Sequence, residues 1–478
     1  MEDRIIANFL SLTAIPRKSH HEEAVSRFLY DWALGKGLAA CRDEAGNVVI
    51  DKPGTPSHEN APVAIMQAHM DMVCVAEEGK EYDPLTDPIT VINDGKVLTA
   101  DGTSLGGDDG AGVAIAMAIL EDETAVHGPI RAIFTVDEED GMSGAEALDP
   151  RHLEGQYMIN LDWEEFGSLC CSSAGCETFT FSHPAHWEPA AGQVAFSLTL
   201  QGLEGGHSGA QIHLGRANAI RLAARVLAAG VEAGCQVRLA AFRGGVAPNA
   251  IPSSAAAVVT VPAAQEDMFR ESAQAALDTL LEEYGVTDPN AVAALLRTDL
   301  PEKAMTAADT ADCLALLTAV HDGVYTMSPA IPGLVESSSN IGVAELKETG
   351  LEFIIMQRSS APDVTAQMRD IFLGQADHYN FAAEILGSSP PWPVRSGSQL
   401  VEICKRHYRA MTGEDIRVEP VHAGLECGCF STKNPGLDII SIGPDILDIH
   451  SPKETLVLRT VTGCDTLVRN ILKEIAEK

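Results

Sequence analysis

The residues best placed for chemistry are His69 and Asp71, delivered two positions apart by an apolar run, AIMQAHMDMVCV, from Ala64 to Val75. In a strand that spacing puts both side chains on one face. A neutral imidazole is a common ligand for a divalent cation, and a carboxylate on its other ring nitrogen fixes the tautomer. Taken alone, His-x-Asp equally describes a buried histidine satisfied by a local acid. The sequel separates the two readings, because later apolar runs also stop at acids: Asp137, Glu138 and Glu139 after IRAIFTV, and Asp162 after QYMINL. A solvated face would scatter its charges along the exposed side.

The glycine-rich GGDDGAG adds Asp108, and the loop DIHSPKE adds His450. A phosphate cradle is excluded by the missing Walker lysine, by the missing GxGxxG spacing and by two aspartates that would repel an anion. Cation binding fits, with the glycines letting the backbone approach a crowded centre. His69, Asp108, Glu139, Asp162 and His450, with one carboxylate shared, suffice for two divalent cations. Three carboxylates and a hydroxide nearly neutralise two dications, whereas one dication would be over-charged. Oxygen and imidazole donors without thiolate suit zinc, cobalt or manganese. Of the adjacent Glu138 and Glu139, one can ligate while the other serves as general base; adjacency does not say which.

These residues need strands that end together. The chain alternates strand, helix and strand with acids at the carboxyl ends, where open α/β sheets place their sites. The pattern predicts helices over residues 3–15 and from His21 to about Leu38, a strand near Asn47–Asp51, and a hairpin in ITVINDGKVLTA turning at Asp94-Gly95. From about Cys176 the character becomes α+β, with a strand in VAFSLTLQGL and an Ala-rich helix from about Gln211 to Ala229. GLEFIIMQRSS reads as a strand and DVTAQMRDIFLGQADHY as a helix. SPPWP, Ser389–Pro393, reads as a linker, after which α/β character resumes. The expected architecture is an α/β catalytic domain, a mixed sheet flanked by helices, built from residues 1–175 and 391–478 and split by an inserted α+β lid domain, 176–390.

At 478 residues two domains are expected, and a formal charge of −35 with no basic stripe excludes a nucleic-acid partner. The N-terminus lacks a basic n-region and no apolar run has transmembrane length, so no membrane partner and a cytoplasmic location are the expectations. The 11 cysteines are scattered without paired spacing, which reads as free thiols. A homodimer is compatible with all of this.

HMD at 69–71, GGDDGAG at 106–112, DEE at 137–139, NLD at 160–162, GGHSG at 205–209 and IHSP at 449–452 together resemble the co-catalytic zinc aminoacylase and carboxypeptidase superfamily. Chain length, the long insertion and HAGLECG at 422–428 resemble, within it, the aminoacyl-histidine or Xaa-His dipeptidases. The resemblance implies His69 and Glu139 on one metal, Asp162 and His450 on the other, and Asp108 bridging through a cis Asp108–Asp109 peptide. It implies Asp71 as the orienter of His69, Glu138 as general base, and His207 as donor to the oxyanion. Asn249 and Arg358 match positions that hold the substrate's carboxylate, and Gly424 a backbone contact. Asp109, where the family often has Asn, is expected to be hydrogen-bonded and not a ligand; Glu426 is a candidate for the dipeptide's amino terminus. The implied activity is hydrolysis of unblocked dipeptides, including those with C-terminal histidine such as carnosine, with hinges near residues 176 and 390. The rivals are a sister tripeptidase, aminoacylase or carboxypeptidase, and a catalytically silent metal-binding homologue.

Overall fold

The structure, a computed structural model, describes residues 2–329, 331 and 333–478. Contacts divide the chain into two units: Met1–Ser173 with Trp392–Val421 and Leu425–Lys478, and Ala174–Pro391 with His422–Gly424.

The first unit opens with α1 (Glu2–Thr13) and α2 (Glu23–Gly35), both amphipathic. Leu29 is wholly buried, with Phe28 and Trp32 packed beside it. Then follow β1 (Ala39–Arg42), β2 (Val48–Lys52), β3 (Ala64–His69), the hairpin β4 (Val91–Asn93) and β5 (Val97–Ala100), α3 (Gly107–Leu120), β6 (Ile130–Thr135), β7 (Tyr157–Asn160) and β8 (Ser168–Ser173). The principal sheet runs β1, β2, β6, β3, β7, the strand Asp438–Ser441, β8 and the strand Arg417–Val421. Its centre is parallel: β3 lies between β6 and β7, with Ala64 opposite Ile130 and Tyr157. All six residues of β3 are buried, as a strand in a covered parallel sheet should be, its Gln67 and His69 included. The helix α3 is buried along its whole length and carries only small and apolar residues after Asp109. Its small residues let it pack against both α1 and β3.

The second unit holds a nine-stranded sheet with its own core, in which Phe179, Phe181, Phe353 and Phe372 are fully buried. Its helices include Ala219–Glu232, Glu266–Glu283 and Pro362–His378. The first begins later than the predicted Gln211, because Gly215 takes φ +64° after a 3-10 turn at Ile212–Leu214. Asn218 then caps the helix by accepting from the Ile220 and Arg221 N–H groups. All eleven cysteines are free, and among the described residues no helix is long and apolar enough to cross a membrane.

Candidate active site

The parallel strands β3, β6 and β7 stop in register, so the residues just beyond them meet at one sheet edge. β3 ends at His69, and Asp71 lies outside it. The chain goes on pairing past the strand, Met70 N donating to the Thr135 carbonyl at 2.8 Å, and His69 Nδ1 lies 3.3 Å from Asp71 Oδ1. Asp71 also accepts from Ser19 Oγ at 2.8 Å, Glu138 N at 3.1 Å and Glu139 N at 3.2 Å. Burial opposes its charge, but the bonds from His69 and these donors hold its pKa at about 2. One carboxylate thus orients the imidazole and fixes the backbone of both glutamates.

Asp108 stands between two imidazoles. Its Oδ1 is 3.1 Å from His69 Nε2 and its Oδ2 is 3.1 Å from His450 Nε2. Asp162 Oδ1 lies 3.5 Å from His69 Nε2, and Glu139 Oε2 lies 3.0 Å from His450 Nε2. Asp108 thus stands between His69 with Asp162 and His450 with Glu139, whereas the resemblance sets Glu139 with His69 and Asp162 with His450; a further group joins His69, Glu138 and Glu139. β3 lies between β6 and β7, so Glu139, after β6, and Asp162, after β7, both come to the end of β3 that carries His69. Asp109 is buried, accepts from Gly112 N at 3.0 Å, and belongs to no ligand group; the peptide joining it to Asp108 is cis.

Donor chemistry decides whether these residues fit divalent cations. Four carboxylates and two histidines form three overlapping groups whose ligand atoms lie within 4.8 Å of one another: His69, Asp108 and Asp162; His69, Glu138 and Glu139; Asp108, Glu139 and His450. Burial, then the charge of Asp162, pushes the Glu138 carboxyl well above its ordinary range. Burial also raises Asp162 and Glu139. Hydrogen bonds to Asp108 and Glu139 raise the His450 imidazole to about 11. So dense a group of buried carboxylates favours positive charge at its centre, and oxygen and imidazole donors without thiolate fit divalent cations.

Sequence reasoning missed the supports. The Glu454 carboxylate accepts from Leu105 N at 2.8 Å, Gly106 N at 2.9 Å and Asp108 N at 3.1 Å, pinning the turn that presents Asp108. Arg17 is fully buried and donates to the carbonyls of Met70, Asp71 and Gly106, joining the His69 and Asp108 segments. Glu454 follows IHSP by two residues and was legible as an acid near a ligand; a lone Arg17 in IPRKSH carried no such signal. Glu426, the candidate for the dipeptide's amino terminus, keeps its Oε1 without a hydrogen-bond partner. It is wholly buried, and its Oε2 accepts from Gln67 Nε2 at 2.6 Å and Thr135 Oγ1 at 2.7 Å. Gln67 in turn accepts from Asn160 Nδ2 at 2.5 Å, and Asn160 from Ser441 Oγ. This polar chain ties β3, β6, β7 and the strand Asp438–Ser441 together beneath the ligands.

In the second unit, His207 sits on a two-residue strand paired with Ala250–Ile251. Its Nδ1 accepts from Gly209 N at 3.2 Å and Ala210 N at 2.9 Å, so the proton resides on Nε2 and that atom is a donor. Arg358 is buried on the strand Gly350–Ser359, its Nε without a hydrogen-bond partner, and burial pulls its pKa below the ordinary value. A Cβ built on Gly209 would meet His207 Cε1 at 3.0 Å and Arg358 Nε at 3.1 Å, besides the His422 carbonyl. The two predicted residues therefore converge on one glycine. Asn249 is exposed, and its carbonyl accepts from Ser208 N at 2.8 Å. Gly424 ends the short segment that begins at His422. The His422 imidazole, bonded to Ser338 Oγ at 2.7 Å, is pushed down to about 3 by burial, then by Arg358 and His207.

Residues 65–474 match the profile of the peptidase family M20/M25/M40. The chain is 36% identical over 475 residues to the cytosol non-specific dipeptidase of Escherichia coli (strain K12), across 98% of this chain and 97% of that one. The crystal structure of the aminoacylhistidine dipeptidase from Vibrio alginolyticus superposes with a TM-score of 0.88 at 34% identity, covering 98% of this chain and 96% of the other. Human carnosine dipeptidase 1, at 12% identity and a TM-score of 0.51, covers 100% of this chain and 97% of its own, and shares the fold.

Proposed function

The chain belongs to peptidase family M20/M25/M40, and from that premise we propose that it is a dinuclear metallo-dipeptidase acting on unblocked dipeptides. Metal-dependent hydrolysis of a dipeptide's peptide bond is its reaction, in keeping with the dipeptidases it resembles along nearly their whole length. The observation that carries the site assignment is the convergence of His69, Asp108, Glu139, Asp162 and His450 at one sheet edge, with Glu138 beside them.

In this reading His69 and Asp162 hold one cation, Glu139 and His450 the other, and Asp108 both, zinc being the first choice for this donor set. Two cations held there supply the positive charge that polarises the scissile carbonyl and acidifies water. Asp71 keeps His69 in the tautomer whose Nε2 faces the site. Glu138 takes the proton of the attacking water and returns it to the leaving amine; its burial favours the protonated form it must pass through. His207, with its proton on Nε2, is assigned to the oxyanion that develops on the attacked carbonyl. Asn249 and Arg358 are assigned to the substrate's carboxylate and Gly424 to its backbone; the uncommitted Nε of Arg358 supports this. A cytosolic location accords with the Escherichia coli relative's name.

A panel of carnosine, Ala-His, Gly-Gly-Gly and an N-acetyl amino acid, assayed after chelation and again with zinc, cobalt or manganese restored, tests the whole reading. Metal-restored cleavage confined to the dipeptides is the expected outcome. Turnover of the tripeptide or the acylated substrate in their place would move the chain to a sister activity.

A further inference from the structure

A cavity of about 960 Å³ opens in the second unit between the helices Ala219–Glu232 and Glu266–Glu283, the Ile212–Leu214 turn and the start of the strand Gly323–Met327. Three arginines line it, in a chain whose formal charge is −35. Arg221 and Arg225 are four residues apart, on one face of their helix. Arg221 commits one N–H to the Val320 carbonyl at 2.8 Å, and Arg216 one to the Gly205 carbonyl at 2.6 Å. Neither makes an ion pair among the described residues, whereas Arg225 reaches Glu283 at 3.3 Å. A guanidinium has five N–H groups, so most donors of Arg216 and Arg221 remain for something else.

The acids of the same wall do not neutralise them. Asp322 turns to Asn218 Nδ2 at 2.9 Å and Ile341 N at 3.0 Å, Glu283 is taken by Arg225, and Glu232 is exposed at the rim. Ala275, Ala276 and Leu280 on the helix Glu266–Glu283, with Ala228 beside Arg225, give the cavity an apolar surface. Guanidinium groups with spare donors beside an apolar wall recognise a flat organic body that carries a phosphate or a pair of carboxylates.

We propose that this cavity binds a small organic anion of that class, and that Arg216 links its occupancy to His207. The link is local. Arg216 Nη1 holds the Gly205 carbonyl, and a Cβ on Gly206 would meet that same nitrogen at 2.6 Å, so the guanidinium packs against the backbone leading into His207. Gln211, on the same turn, accepts the His207 N–H at 2.9 Å. An anion that draws Arg216 toward Arg221 removes the Gly205 bond and loosens this loop. The binding part is independent of the dipeptidase reading; the link rests on the assignment of His207 to the reaction.

The test uses the full, metal-loaded protein with 1-naphthyl phosphate as probe, followed by fluorescence anisotropy. Saturable one-site binding is expected, weakened at least tenfold in the Arg221→Gln/Arg225→Gln double variant, while dipeptide turnover without probe stays within twofold of the parent. Saturating probe should lower kcat for a dipeptide severalfold in the parent and leave the Arg216→Gln variant unresponsive. Absent binding, or binding of equal strength in the double variant, as expected of a phosphate lodged on the metals, overturns the site. Unchanged kcat at saturating probe overturns the link. Because the binding arm needs no turnover, its failure is distinct from failure of the proposed activity.

Discussion

In the proposed reading Glu138 and Glu139 are neighbours with opposite tasks, and their surroundings differ. Glu139 sits 3.0 Å from His450 and within reach of Asp108, in the company of ligands. Glu138, grouped with His69 and Glu139, makes no ion pair among the described residues, and burial gives it a raised pKa. Replacing it by Gln keeps size and most contacts but removes the group that can carry a proton. The expected outcome for Glu138→Gln is a fall in kcat of about 10²–10⁴ with KM and bound metal close to those of the parent. Steady-state kinetics with metal analysis on the same sample reads both, and metal lost in step with activity would make Glu138 a ligand instead. At this scale the sequence disclosed most of the site because ligands must be His, Asp or Glu and must cluster. What it hid were residues whose type has many uses: Arg17 inside a polar heptad, and Glu426, whose place among Gln67, Thr135 and Asn160 exists only in the folded sheet.

The elements were legible where one cause sets them. Apolar runs bounded by turns gave β3, β6 and β7, and Asp94-Gly95 gave the hairpin of β4 and β5. Misplaced boundaries came from competing local signals: β3 stops at His69 although apolar residues continue, and the helix expected from Gln211 waits for the Asn218 cap. Which acids come to His69 depends on strand order, β6 and β7 flanking β3, information that no single segment contains. The turn before α3 shows how an element positions a residue. Its N–H groups at Leu105, Gly106 and Asp108 all point at one Glu454 carboxylate, which is itself buried. Glu454→Gln removes the charge and one acceptor oxygen while leaving the shape. We expect metal affinity to fall about 10–100-fold, as for other partners that orient a ligand, with thermal stability of the metal-free protein little changed. A competition titration against a chromophoric chelator measures it, and unchanged affinity would show that α3 and Arg17 hold Asp108 unaided.

Each unit has hydrophobic clusters of its own, so thermal unfolding of the whole molecule is expected to show more than one transition. Removing the cations acts on the first unit alone, through buried charge. Without metal, Glu138, Glu139 and Asp162 have raised pKa values, and an acid of that kind loses stability as pH climbs from its unfolded value toward its folded one. His69 and His450 are raised as well; their contribution is complete below about 6.5 and is lost as pH rises through the folded value. Asp108 runs the other way, but a depressed acid acts only below about pH 4. Between pH 5 and 8 the signs therefore agree, and the metal-free first unit should weaken steadily as protons leave. Cations replace those protons, and bound metal at a thousandfold excess over its Kd adds about 4 kcal/mol. The gap in Tm between zinc-loaded and chelated protein should thus widen from pH 5 to pH 8 in one calorimetric transition while the other stays put. A gap constant across that range would mean that the ligands keep their protons when metal binds, and the charge accounting behind the dinuclear assignment would fall with it.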